Sequence, residues 1–441
     1  MDIILKLKIV RETACCFFPF GTYAQFLSFI YLSLLILFFF QPRLAIVEQI
    51  GITQIDRLKT DFNYKQWRLQ KSGQISNDQL QQAVWPFVWR SRFRLRDSEL
   101  KMTLVTRFAT MHQQTENASQ KITTNNQTEP LPAKQHLVGL ADTQVTFDYH
   151  FERKAHILSN WFIGLGLSLP TGKNRLQPTE VELANQFYSE ILDFQVSRLG
   201  EGFNAGISLF TVHRFSTLHL AIGGNYLAKG KYVILPERIY NPGNESQIQT
   251  VTLWQGKFFS WRNSLGFRRY SPDHFLQQVW FQQGGEILVA TSLKFNFPRG
   301  QIFAEQHLTN RLRNQQIEGM NFGIQIRNTN SNFRRSRLGG RYRISPVTEI
   351  ELLYERSFIL PNENQSGRAS TRSTSFSIAA QFRDHIWTNA GFSLGQGEMQ
   401  SLQFSPTKKT YLSFTNSRSQ YQIRLNGFSF WFGLRQHFDS H

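Results

Sequence analysis

The chain has 441 residues, with 49 Lys and Arg against 31 Asp and Glu, 40 Phe, and a hydrophilic mean hydropathy of −0.35. Both cysteines, Cys15 and Cys16, sit together near the start, which excludes a disulfide framework, a thiolate nucleophile or a cysteine metal site from the rest. No reading helix, zinc finger, aromatic RNA-binding motif or Walker loop accompanies the basic charge, so neither nucleic acid nor a cofactor is expected.

Lys6, Lys8 and Arg11 precede Phe26–Phe40, fifteen residues without a charge. A basic stretch followed by an apolar run predicts a secretory signal over residues 1–45, with cleavage near Ala45; an uncharged run from Ala14 to Phe40 is also long enough for a retained membrane helix. Lys6, Lys8, Arg11 and Arg43 are its only basic residues and Asp2 and Glu12 its only acids, so the exported part stays strongly basic. After export, the natural anionic partners are lipid phosphates and anionic solutes. Residues 46–84 are expected to form a polar connector, periplasmic or plugging a lumen. Ile55, Leu58, Phe62 and Leu69 in it hint at a short amphipathic helix.

From Trp85 the pattern changes to a period of two. Trp85, Phe87, Trp89, Phe93 and Leu95 alternate with Pro86, Val88, Arg90, Arg92, Arg94 and Arg96, and after a tight Asp97-Ser98 turn Leu100, Met102, Leu104, Thr106 and Phe108 line one face of a second strand. A polar loop rich in Gln, Asn and Thr follows, and then the clearest hairpin of the chain. Val145, Phe147, Tyr149 and Phe151 oppose Gln144, Thr146, Asp148 and His150; on the return arm Trp161, Ile163, Leu165, Leu167 and Leu169 oppose Phe162, Gly164, Gly166 and Ser168. Further alternating segments are Phe203–Leu209, Leu218–Tyr226, Ile287–Phe297, Met320–Ile326, Leu338–Ile344, Ile350–Tyr354, Phe376–Phe382 and Ile386–Leu394. Fainter ones are Leu183–Val196, Val251–Phe259, Ser264–Arg269, Ile302–His307, Thr410–Phe414 and Tyr421–Leu425. The last strand puts Phe428, Phe430, Phe432, Leu434 and Phe438 on one face, before an Asp439-Ser-His441 extension.

Short turns alternate with long polar loops, the asymmetry of a transmembrane barrel. Only closure satisfies every backbone group in hydrocarbon. The predicted fold is therefore all-β: a transmembrane antiparallel β-barrel of about 12–16 strands over residues 85–438, with a tail at 439–441. A soluble pair of β-sandwiches is the alternative that also alternates.

Gly139-Leu-Ala-Asp-Thr143, the strand ending in Tyr149-His-Phe151, and Gly164-Leu-Gly-Leu-Ser-Leu-Pro-Thr-Gly-Lys173 together resemble the Gly-x-Gly-Asp-Thr … Leu-Pro-Thr-Gly signature of outer-membrane barrels associated with meta-pathway phenol degradation. Ala141 replaces the second Gly of that signature. The resemblance implies a passive channel-type barrel for hydrophobic or aromatic solutes. The aromatic final strand likewise resembles the C-terminal strand through which outer-membrane barrels meet their assembly machinery.

Two charged rows stand out. Reflection about Pro346 pairs Arg343 with Glu349, Arg341 with Glu351, and Arg337 with Glu355, a ladder that cannot face lipid and is expected in the lumen. Arg90, Arg92, Arg94 and Arg96, with Arg107 on the next strand, form a second row with little acid opposite. It is expected either to draw anions into a pore or to bind lipopolysaccharide phosphates at the rim. His307-Leu-Thr-Asn310 resembles the His-x-Ser-Asn element of outer-membrane lipid hydrolases, which would make His307 a base and Thr309 a nucleophile. The expected function is passive passage of small solutes, anionic or hydrophobic/aromatic, across the outer membrane, with no cofactor and no enzyme activity. A lipid hydrolase and a structural or adhesion barrel are the alternatives.

Overall fold

The computed structural model describes residues 54–437, except for 72–76, 96–97, 116–120, 125–126, 131–133, 152–158, 174–175, 188, 197–198, 236–237, 276–277, 319–320, 364–366, 384 and 401–421. The predicted signal segment, both cysteines, Arg96, the Thr410–Phe414 candidate, Phe438 and the tail lie outside the described residues.

Seventeen strands form one antiparallel sheet. They are β1 (Gln54–Lys71), β2 (Asn77–Leu95), β3 (Ser98–Thr115), β4 (Lys134–Leu140), β5 (Thr143–Phe151), β6 (Ser159–Leu169), β7 (Asn204–Phe215), β8 (Leu218–Lys229) and β9 (Glu245–Gln255). The series continues with β10 (Phe259–Tyr270), β11 (Glu286–Phe297), β12 (Gly300–Arg311), β13 (Phe333–Ser345), β14 (Thr348–Ile359), β15 (Ala369–Arg383), β16 (Ile386–Gln400) and β17 (Gln422–His437). β4 and β5 both pair with β3 and share one position, and β1 pairs with β17, so the sheet closes as a 16-strand barrel. Both ends of the described chain meet at the rim that carries the two- and three-residue turns.

The two faces sort by chemistry. Ile248, Leu352 and Phe382 are 65%, 58% and 68% exposed on the outer face, amid a continuous band of Ile, Leu, Val, Phe, Tyr and Trp. So much open apolar surface belongs in hydrocarbon. The chain is a membrane-spanning barrel. At the opposite rim the connections are long. Among them Tyr232–Leu235, Arg238–Asn241, Asp273–Phe275, Gln278–Gln282, Gln315–Glu318 and Asn321–Ile324 build a separate six-stranded sheet. The Asp273 carboxylate anchors it, accepting from Tyr240 Oη at 2.5 Å and Gly243 N at 2.6 Å.

Three sequence expectations are corrected. Residues 54–84, expected within a connector or plug, supply β1 and the start of β2; Phe62 and Tyr64 face outward while Lys65 and Trp67 face inward, a period of two that the helical spacing of Leu58, Phe62 and Leu69 disguised. Val251–Phe259 is not one strand but the end of β9, a turn, and the first residue of β10. Asn321–Ile324 belongs to the outer sheet rather than to the barrel.

Candidate functional site: a plugged lumen

A fourth correction places the site. Leu183–Val196, expected as a strand, is the heart of a segment between β6 and β7 that folds into the barrel. It contains the only α-helix among the described residues, α1 (Pro178–Phe187). Pro178 suits the first helical position, and Glu180 reaches back to accept from Gln177 N at 2.9 Å, one half of a capping box. Leu183, Ala184 and Phe187 share one helix face, and with Ile191, Leu192, Val196 and Leu199 they are buried. They pack on Trp67, Leu80, Val84, Ala109, Met111, Leu137, Ala369, Met399, Ile423 and Leu425 of the inner wall.

The residues that carried the family resemblance are the clasp of this plug. Asp142, buried at the break between β4 and β5, accepts from Gly172 N at 2.9 Å where the plug departs and from Glu201 N at 2.6 Å where it returns. Thr143 N donates to Thr171 Oγ1 at 2.9 Å. A Cβ on Gly172 would lie 1.9 Å from the Leu199 carbonyl oxygen, so only glycine admits this close crossing.

Two parts of the inner wall hold the plug differently. On β1, β2 and β15–β17 the contacts, Lys65 apart, are apolar or neutral. Trp67 Nε1 donates to the Leu192 carbonyl at 2.9 Å, with its ring lying against Gly395 and Gly427, where added Cβ atoms would come within 2.8 and 2.5 Å of it. Gln82 donates to the Val196 carbonyl and accepts from Gln195 N and Val196 N. The wall of β10–β14 is ionic. Arg311 pairs with Glu190 of the plug and, at 3.0 Å, with Glu286, which also holds Arg268 at 3.2 Å. Arg335 meets Asp193 at 3.0 Å and Glu355 at 3.5 Å. Lys65 of β1 reaches the same Asp193, donating to its carbonyl at 2.8 Å. Asp193 takes a left-handed backbone conformation (φ 51°), one that aspartate tolerates better than most residues. Burial pushes its carboxyl up, but Lys65 and Arg335 outweigh that and hold it below the usual carboxylate range.

The ladder of β13 and β14 continues this ionic wall. The register pairs Arg343 with Glu349, Arg341 with Glu351, and Arg337 with Glu355, and Leu338, Tyr342, Leu352 and Tyr354 occupy the outer face. Arg337 Nε lies 2.6 Å from Glu355, with Glu305 of β12 at 3.9 Å, and Arg341 pairs with Glu351. Arg343 and Glu349 instead line a cavity of about 360 Å³ with Trp387 and Arg435 at the tight-turn rim.

The second row needs revision. Arg90 and Arg92 share the inner face of β2 with the position of Arg94, but acid is close by. Glu99 sits opposite Arg94 and pairs with Arg92 at 2.6 Å and Lys101 at 3.4 Å, and Lys101 lies opposite Asp148. The turn that joins β2 to β3 brings Glu99 back under the arginines, which a reading of β2 alone overlooks. Arg107, farther along β3, points to Gln144 at 3.4 Å.

His307 and Thr309 share the inner face of β12, opposite Arg335 and Phe333. The described residues place no hydrogen bond between them and no carboxylate on the imidazole. A lipid hydrolase needs its nucleophile where lipid can reach it, and these two face the lumen. Among the described residues no cluster of three His, Cys, Asp or Glu has metal-binding geometry.

No family model and no characterised protein sequence matches the chain. Solved structures of similar architecture include the outer membrane channel DcaP of Acinetobacter baumannii, at 9% identity over 87% of this chain and 97% of that one, with a TM-score of 0.41. The toluene transporter TodX of P. putida aligns at 8% identity over 88% and 91%, with a TM-score of 0.39. In-vitro folded OmpT of Vibrio cholerae aligns at 8% identity over 88% and 99%, also with a TM-score of 0.39.

Proposed function

We propose that the chain is an outer-membrane channel through which small solutes pass passively, with anions favoured, and that the segment between β6 and β7 sets its bore. The observation that supports this most directly is a closed barrel whose interior holds a plug on one side and a continuous ionic wall on the other. Structural barrels fill their interiors, whereas here the inner faces of β7–β10 carry small and polar residues such as Ser208, Gly223, Asn225, Gln249 and Gly266. Rings of Arg and Lys lining a pore favour anions. The net excess of basic residues over acids acts in the same direction. The hydrophobic or aromatic solutes implied by the family resemblance are the second candidate class, with the apolar plug as their nearest contact.

By the lengths of the connections we read the tight-turn rim as periplasmic and the long loops as facing the cell exterior. Lipopolysaccharide would then surround the long-loop rim, and the assembly machinery would engage β17. Planar-bilayer recordings test the proposal: reconstituted protein should conduct, and a salt gradient should give a reversal potential on the anion side. Absence of conductance from folded barrels would refute a channel, and a cation-side potential would refute the anion preference.

A further inference from the structure

The outer face of β13–β17 and β1 carries a second, separate group of arginines. Following the register around this sector, one row reads Arg334, Phe358, Ser370, Glu398, Arg424 and Gln70, and the adjacent row reads Ser336, Arg356, Arg372, Gln396, Asn426 and Arg68. The next row inward is Leu338, Tyr354, Thr374, Leu394, Phe428 and Gln66, the edge of the apolar band. The arginines therefore stand one step beyond hydrocarbon, at the long-loop side, where lipid headgroups lie.

Arg356 and Arg372 are directly opposite each other across two strands. Like charges so placed repel when nothing lies between them. Arg334, Arg356 and Arg372 are exposed, and none of the three forms an ion pair with a carboxylate among the described residues. Two of them are oriented by neutral neighbours: Arg356 stands over the Phe358 ring at 4.3 Å, and Gln396, with its amide assigned so that the oxygen faces the guanidinium, accepts from Arg372 Nε and Nη2 at 2.9 and 3.0 Å. Glu398 is the single acid among the outward positions of these two rows.

From this arrangement we infer that Arg334, Arg356 and Arg372 form a binding site for the phosphate groups of a lipopolysaccharide molecule in the outer leaflet. A phosphate placed between Arg356 and Arg372 turns their repulsion into two charge-assisted hydrogen-bonding pairs, with Arg334 one diagonal step away for a second anionic group. The acyl chains then run down over Leu338, Leu352, Tyr354 and Phe376, on the strands directly below. The site rests on the outer-membrane assignment but not on conduction.

Native mass spectrometry of the full barrel in detergent, with bisphosphorylated lipid A as the probe, tests this. Wild-type protein should retain one lipid A, and the R334Q/R356Q/R372Q variant should lose retention by tenfold or more. Dephosphorylated lipid A should be retained by neither, and millimolar inorganic phosphate should not compete, because it lacks the acyl contacts. If removing the charges impairs folding, R356K/R372K keeps the charge while losing the planar fork, and should show retention reduced severalfold. Equal retention by wild type and either variant, or equal retention of the dephosphorylated lipid, overturns the site. Conductance recorded on the same preparations separates the outcomes: a barrel that conducts yet ignores lipid A sinks the lipid site and leaves the channel standing.

Discussion

The two sides of the inner wall grip the same plug with different chemistry. The apolar side meets Leu183, Phe187, Ile191, Leu192, Val196 and Leu199, all buried. At roughly 1.5–3 kcal/mol for each large aliphatic or aromatic side chain, that contact contributes on the order of 10 kcal/mol. The ionic side meets only Glu190 and Asp193, whose side chains remain 43% and 52% exposed. Exposed pairs of this kind stabilise by about 0–1 kcal/mol each. Packing therefore holds the plug in place, while the ion pairs make the grip conditional on pH and salt. A plug anchored by packing and trimmed by charge can be adjusted without being released.

The largest effect should come from the packed side. Trp67→Ala removes a buried indole and its hydrogen bond to Leu192, a loss of about 3–5 kcal/mol. With about 1.4 kcal/mol per factor of ten, hydrogen exchange at residues 183–199 should accelerate by at least about a hundredfold while the barrel stays assembled. An increase of less than tenfold would mean that packing does not dominate. Asp193→Asn removes only the partner of Lys65 and Arg335, so the same amides should accelerate by about fivefold or less. A larger response than that of Trp67→Ala would invert the ranking of the two sides.

Acid separates the two sides further. Because Asp193 is held below the usual carboxylate range, its stabilising contribution is full at neutral pH and is lost only as pH falls past that range and through its depressed value. Exchange at the plug should thus be unchanged between pH 7 and 5 after correction for intrinsic rates, and then increase on further acidification. Asp193→Asn should flatten that increase. An increase that begins above pH 5 would assign the effect to some other group.

How far the sequence revealed these features follows the same division. The β13–β14 ladder was readable because the Pro346-Val347 turn fixes the register and opposite charges share one face of both arms, broken only by the Gly339–Leu353 pair. The plug was not, because Leu183, Ile191 and Leu192 are apolar without regular alternation, and the one decisive signal was local: Pro178 followed by Glu180 as a helix start. Gly139–Lys173 resembled a family signature, yet the role of Asp142 as a clasp needed two backbone amides 29 residues apart, Gly172 and Glu201, to meet it in space. β1 was missed because on its outer face Gln66 stands at the edge of the apolar band and Arg68 and Gln70 in the arginine rows beyond it, so the alternation that marks lipid-facing strands fades along its second half.

The smallest expected effect probes the ionic wall apart from the plug. Arg337 and Glu355 are opposite partners at 2.6 Å, both partly exposed, and Glu355 also lies 3.5 Å from Arg335. Cross-strand pairs of this type contribute roughly 0.2–1 kcal/mol. Glu355→Gln should lower the urea midpoint of the folded barrel slightly and leave Arg335 and Arg337 side by side without their shared acid. The exchanged pair R337E/E355R should recover most of the Arg337–Glu355 term but not the contact to Arg335, where two arginines would now face each other. Partial recovery is therefore the expected result, with plug exchange raised relative to wild type because the Arg335 that holds Asp193 has been disturbed. Full recovery of both midpoint and plug protection would show that the ladder fixes strand register alone. The ionic wall would then be two independent devices, one for the sheet and one for the plug, rather than a single connected surface.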